Sequence, residues 1–128
     1  MAIEQKIDFE VSAETIYAAL LSSEVFAAAT GADATIAPEV GGEFSCFGGQ
    51  ITGRHLELLS NERIVQAWRA SPWPDGLYSI VRFELEQIDD KTQLKMIQAA
   101  YPDGSEGHLE GGWKKMYWDP LKAHFASA

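Results

Sequence analysis

Cys46 is the one thiol in the chain, and it stands between Ser45 and Phe47 with no histidine nearby in sequence. A nucleophilic thiolate needs a base and an electropositive setting, so Cys46 reads as a small buried hydrophobe. His55, His108 and His124 are widely spaced and form no His-x-x-x-His pair, so no metal site is expected. Gly48-Gly49 and Gly111-Gly112 lack the Gly-Lys-Ser/Thr ending of a phosphate loop. Asp89-Asp90 reads as part of a solvated turn. These motifs yield no catalytic residue, no metal and no cofactor.

Binding is the chemistry that remains. Phe44, Val81, Phe83, Met96, Leu109, Trp113 and Tyr117 are the side chains expected around a cavity between a sheet and a helix. Each alone reads equally as plain core, since dense packing is the norm. Gln98 shares a strand face with Met96 and Ala100. A buried amide needs partners, so Gln98 either orients a ligand's polar end or bonds to backbone, with backbone favoured. Arg69 either meets a ligand carboxylate or, preferentially, pairs with one of the 19 acidic side chains. Trp73, between two prolines, gates a pocket mouth, docks a partner or folds back on the sheet; fold-back ranks first.

The element that must position these residues is the stretch from Ser105 to Phe125. Leu109, Trp113, Met116, Tyr117, Leu121 and Phe125 fall on one stripe of a helix, and Lys114, Lys115 and Lys122 fall off it. A helix of about twenty residues is roughly 30 Å long, and a strand of about ten is roughly 33 Å long, so the one can lie across the other. Gly107, Gly111 and Gly112 each cost about 1 kcal/mol in a helix interior. Either they bare a face for close approach of a strand or ligand, or regular helix starts only near Gly112. Pro120 predicts a kink or restart at Trp118 to Pro120, with Asp119-Pro120 as an N-cap and first-turn pair.

Ahead of this helix, residues 3 to 11 alternate as a half-buried strand broken by Gln5. Ser12 caps a first short helix and Ser22-Ser23 a second, Glu24 to Ala29, which Gly31 ends. Ala32 to Pro38 is a short strand or loop. Strands follow over Glu43 to Phe47 and Gln50 to Leu58, joined by a tight turn at Gly48-Gly49, with a bulge expected at Gly53. Arg63 to Arg69, Leu77 to Glu86 and Thr92 to Tyr101 complete a meander. Helices grouped at the chain ends around hairpin-connected strands make the fold α+β, with an antiparallel sheet.

The 128 residues fit a single domain, 1–128. A formal net charge of −9 disfavours nucleic acid and anionic membrane partners. The lone cysteine, the charged N-terminal stretch and the lack of a long apolar run lead to the expectation of a soluble cytoplasmic protein, monomer or homodimer, with no disulfide, signal peptide or membrane span.

Several local motifs also occur in a fixed order. They are Gly41-Gly42 with Phe44; Gly49, Ile51 and Gly53; Asn61, Ile64 and Val65; Trp68-Arg69; Trp73-Pro74; Tyr78-Ser79; Thr92 with Leu94; and Gly112-Trp113. Over nearly the whole chain this order resembles the C-terminal domain of the activator of Hsp90 ATPase, in the START-like (Bet v 1-like) superfamily. The resemblance implies a helix-grip fold, a curved antiparallel sheet wrapped around a long C-terminal helix, with two short helices after the first strand. It implies a small hydrophobic ligand in the cavity as the first function and docking to an Hsp90-type chaperone as the second. An enzyme of the polyketide-cyclase-like type comes third. The co-chaperone that names the family has an N-terminal domain not matched here, and no family catalytic residue carries over.

Overall fold

The structure, a computed structural model, describes residues 2–126. Seven strands form one antiparallel sheet: β1 (Ala2–Phe9), β2 (Ala34–Ile36), β3 (Glu43–Cys46), β4 (Ile51–Leu59), β5 (Arg63–Ala70), β6 (Ser79–Ile88) and β7 (Lys91–Ala99), in the order β1-β7-β6-β5-β4-β3-β2. Helices α1 (Ala13–Leu21) and α2 (Ser23–Thr30) follow β1, and the C-terminal helix runs from Glu106 to Ala126. This is the expected α+β helix-grip arrangement. Its short helices carry the expected caps. Ser12 and Ser22 accept from the backbone N–H groups of Thr15 and Val25, and Gly31 ends α2 in the left-handed region, at φ 75°.

Alternation along the strands builds the core. Ile3, Ile7 and Phe9 of β1, Leu94 and Met96 of β7, Val81 and Phe83 of β6, and Ile64 and Trp68 of β5 are all buried, each set two or four residues apart as one face of a pleated strand requires. Three details depart from the sequence-based expectation. Ala100 does not continue the inner face of β7: it is exposed, with φ 66°. The bulge in β4 falls between His55 and Glu57, not at Gly53. There His55 donates its N–H to the Gly42 carbonyl and accepts from the Gly41 N–H, which ties the strand to the preceding loop. The turn after β3 takes four residues rather than two, and the φ of +56° at Phe47 is a left-handed conformation for a bulky side chain. Packing against Phe26 and Tyr117, at 5.8 and 5.4 Å between ring centroids, offsets that strain.

Gly53 has a different role from a bulge. A Cβ there would lie 1.9 Å from the Ala67 carbonyl oxygen and 2.6 Å from Cζ of Phe44. The missing side chain leaves room for the Phe44 ring, which lies across the strand pair.

The C-terminal helix neither stops nor restarts at Pro120. It comprises α3 (Glu106–Gly112), a π-helical turn (Trp113–Trp118) and α4 (Asp119–Ala126). Asp119 has helical dihedrals (φ −63°, ψ −47°) and donates to the carbonyl of Lys114, five residues back. Pro120 follows this wide bond directly and has no N–H with which to close another. The expected N-cap role of Asp119 is replaced by an ion pair with Lys114 at 2.8 Å. The wide turn also brings Trp118, which an α-helical stripe leaves out, into the buried set with Leu109, Trp113, Tyr117 and Leu121. Among the described residues no helix is long and apolar enough to cross a membrane.

Gly53→Ala should lose about 1–3 kcal/mol of unfolding free energy, the usual cost of overpacking, as read from urea titration followed by tryptophan fluorescence. A variant as stable as the parent would show that the β4–β5 backbone yields freely and that no close approach is enforced.

Candidate functional site

The C-terminal helix does not cover the sheet evenly. Between one face of α3 and the wide turn, the start of β4, the end of β5 and the loop after it lies an open groove of about 800 Å³. That size lies within the range of small-molecule sites. Five aromatic side chains stand among its lining residues. Trp68 stacks on Trp113 at 5.2 Å with 26° between planes, and Trp73 meets Trp68 edge-on at 5.7 Å. Phe47, Ile51, Ala70, Pro72, Leu109, Met116 and Tyr117 complete the apolar lining.

The helix side of this groove is bare. Gly107, Gly111 and Gly112 all line it, and a Cβ built on any of them meets nothing within 4 Å. Regular helix already spans all three, so these glycines open a face rather than delay the helix. The space they leave is filled by no strand.

Two polar relays hold the aromatic walls. Trp113 Nε1 donates to Oε1 of Gln98 at 2.8 Å, Gln98 Nε2 donates to Ser79 Oγ at 3.0 Å, and Ser79 Oγ donates to the Trp68 carbonyl at 2.9 Å. Gln98 therefore bonds two side chains, not the expected backbone, and Trp113 and Trp68 are locked through one chain of bonds. In the second relay, Arg69 Nη2 donates to the carbonyls of Trp73 and Pro74 at 2.6 and 3.1 Å. Its guanidinium also lies 5.9 Å from the Tyr78 ring centroid. The acidic partner expected for Arg69 is not what it finds; it pins the loop that folds Trp73 back onto Trp68.

Of the eight residues expected around a cavity, the structure brings Leu109, Trp113 and Tyr117 to the groove. Phe44 and Phe83 lie on the far side of Tyr117, beside an internal void of only about 10 Å³, the space of one water at most. Val81, Met96 and Gln98 are fully buried. Trp68, Trp73 and Phe47 come from strand ends and loops, and the glycine face from α3. The paired glycines four apart were the sequence signal that pointed to this face.

The titratable groups near the groove do not form an acid–base pair. Burial pushes Tyr117 far above the ordinary phenol range, so its hydroxyl stays protonated while accepting from Trp68 Nε1 at 3.3 Å. Cys46 is buried and pushed up to about 12 by desolvation, which keeps it a neutral thiol. His55 lies outside the groove, held against the Ala37 carbonyl at 3.0 Å, and its burial lowers its pKa. His108 and Lys115, both exposed, line the groove. Among the described residues no cluster of His, Cys, Asp and Glu could hold a metal.

Gln98→Leu strands the Trp113 indole N–H in the core, which costs about 1–3 kcal/mol. The Trp113 indole proton resonance should shift by more than that of any other tryptophan. Unchanged stability with an unchanged resonance would remove the relay from the description of the site.

The comparisons with known proteins bear on the family and the fold. An uncharacterized protein of Schizosaccharomyces pombe is 35% identical over 123 residues, covering 96% of this chain and 37% of that protein. The human activator of 90 kDa heat shock protein ATPase homolog 1 is 28% identical over 123 residues, covering 96% of this chain and 36% of its own. The chain thus spans about a third of the length of the curated relatives it matches. Among solved structures, an Hsp90 activator from Plasmodium falciparum superposes with a TM-score of 0.93 at 24% identity, over 98% of this chain and 96% of that one. The Aha1 dimer from Colwellia psychrerythraea gives 0.80 at 19%, over 95% and 93%; both show the fold. The model of the family described as activator of Hsp90 ATPase homolog 1-like protein matches residues 10–126, and the chain belongs to that family.

Proposed function

We propose that this domain binds a small apolar molecule in the groove between the C-terminal helix and the β4–β5 end of the sheet. The observation that carries the reading is the bare glycine face opposite the stacked tryptophans. Three glycines in an exposed helical segment cost about 1 kcal/mol each relative to alanine, and no protein atom occupies the space they leave. A largely apolar groove of about 800 Å³ suits a small apolar guest. The walls are braced by the Gln98 and Arg69 relays, so little ordering is left to oppose binding. The buried thiol supports a reducing, cytoplasmic setting.

Gly111→Leu tests this reading without harming the fold. Leucine is the better helix former, so thermal stability should rise or hold while its side chain fills the groove. Native mass spectrometry of freshly purified protein should show an adduct, and titration with an apolar fluorescent probe should show a site; both should weaken at least tenfold in Gly111→Leu. Absence of any adduct or probe binding in the parent, or equal binding in the variant, would remove the proposal.

A second reading rests on the family and on the names of the relatives: docking to an Hsp90-type chaperone and stimulation of its ATPase. The chain matches about a third of those proteins, so the activity of the whole protein is here a proposal. Adding this protein to a purified Hsp90 should raise its ATP turnover; an unchanged rate together with failed pull-down would dismiss it.

A further inference from the structure

The charge around the groove runs against the charge of the chain. Acidic residues outnumber basic ones, 19 to 10, yet no Asp or Glu lines the groove, and its one permanently charged side chain is Lys115. The neighbouring acids are directed elsewhere. Glu106 accepts from the Tyr101 hydroxyl at 2.6 Å. Asp119, four residues beyond Lys115, pairs instead with Lys114. Lys115 is exposed and makes no ion pair or hydrogen bond among the described residues.

His108, Gly111 and Lys115 are three and four residues apart, which stacks them on one helix face. All three line the groove. The two nitrogen-bearing side chains therefore bracket a gap where glycine leaves the helix backbone uncovered. Beyond that gap lies the Trp68–Trp113 stack. A ligand lying in the groove would meet an ammonium and an imidazole at its polar end, with no carboxylate among the lining residues to repel an anion.

We infer that the ligand is amphipathic and anionic, a flat apolar body carrying one carboxylate. The body sits against Ile51, Trp73 and Met116, the half-buried apolar lining of the groove, and the carboxylate sits on Lys115, with a ring N–H of His108 as second donor. This deepens the proposed apolar-ligand function and rests on it. The net charge of −9 opposes approach of an anion from afar, but that field is screened beyond about 8 Å at physiological salt. Selection for the carboxylate is therefore local, at Lys115, and does not come from long-range steering.

A matched set of ligands separates the two levels of the argument: 6-phenylhexanoate, 6-phenylhexan-1-ol and 6-phenylhexylamine, which share one body and differ in head group. Each is titrated calorimetrically into the parent, into Lys115→Gln, and into Lys122→Gln as a control for the same loss of charge at an exposed lysine outside the groove. The carboxylate should bind the parent about fivefold more tightly than the alcohol, and the amine should bind weakest. Lys115→Gln should bring the carboxylate down to the level of the alcohol and leave the alcohol unchanged, while Lys122→Gln should keep the preference. Equal affinity for all three heads, a preference for the amine, or equal losses in both lysine variants would overturn the carboxylate inference and leave the apolar groove standing. Failure of all three to bind the parent would overturn the groove reading itself.

Discussion

Trp113, Tyr117 and Trp118 all have to reach the same sheet, and an ordinary α-helix turns one of them away. At 3.6 residues per turn, Trp118 would stand about 140° around the axis from Trp113. The π-helical turn across Trp113–Trp118 adds a residue to the turn and closes that angle. The two indoles then lie nearly parallel, 5.5 Å apart with 16° between planes. Trp118 Nε1 reaches Oε1 of Gln5 at 2.7 Å, while Gln5 Nε2 donates to the carbonyl of Glu110, so the edge strand β1 is tied to the helix on both sides of one amide. Most of the sheet–helix contact follows from this aromatic seating. Phe83 meets both Trp113 and Trp118 edge-on, and Phe9 meets Trp118 and Phe125.

The same seating creates the groove. Tyr117 divides the space under the helix, with a void of about 10 Å³ on one side and the open groove on the other. On the closed side the core leaves space for one water at most. On the open side, side chains are withheld. α3 presents glycine at three of its seven positions, while Trp68 and Trp113 line the groove with little surface exposed, stacked on each other and, for Trp113, on Trp118. Arg69, half-buried on the loop side, directs its guanidinium at two carbonyls and an aromatic ring, which keeps Trp73 as a wall. Stability and access are thus assigned to different faces of one helix.

Family membership and groove geometry bear on different questions. The family match covers nearly the whole chain and accounts for the helix-grip architecture, which relatives from distant organisms share at low identity. The groove is a property of particular side chains: the placement of the tryptophans, the bare helix face and the lone lysine of its lining. A fold held in common does not carry a ligand with it, and the chemistry of these residues is what points to one.

Most of the architecture was legible in the sequence because it rests on short-range rules. Period-two alternation marked the strands, Ser12, Ser22 and Gly31 marked the helix ends, and an apolar stripe marked the C-terminal helix. What the tertiary structure decided were the features set by partners distant in the chain. Gly53 reads as a bulge until Phe44 and Ala67 are placed around it. Gln98 reads as a ligand or backbone contact until Trp113 and Ser79, 15 and 19 residues away, close on its two ends. Trp118 falls off the apolar stripe until the helix changes its period. The groove, likewise, is assembled from β4, β5, a proline-flanked loop and a helix forty residues further on. Local pattern determines which faces are apolar; only the meeting of those faces determines where one of them is left without a partner.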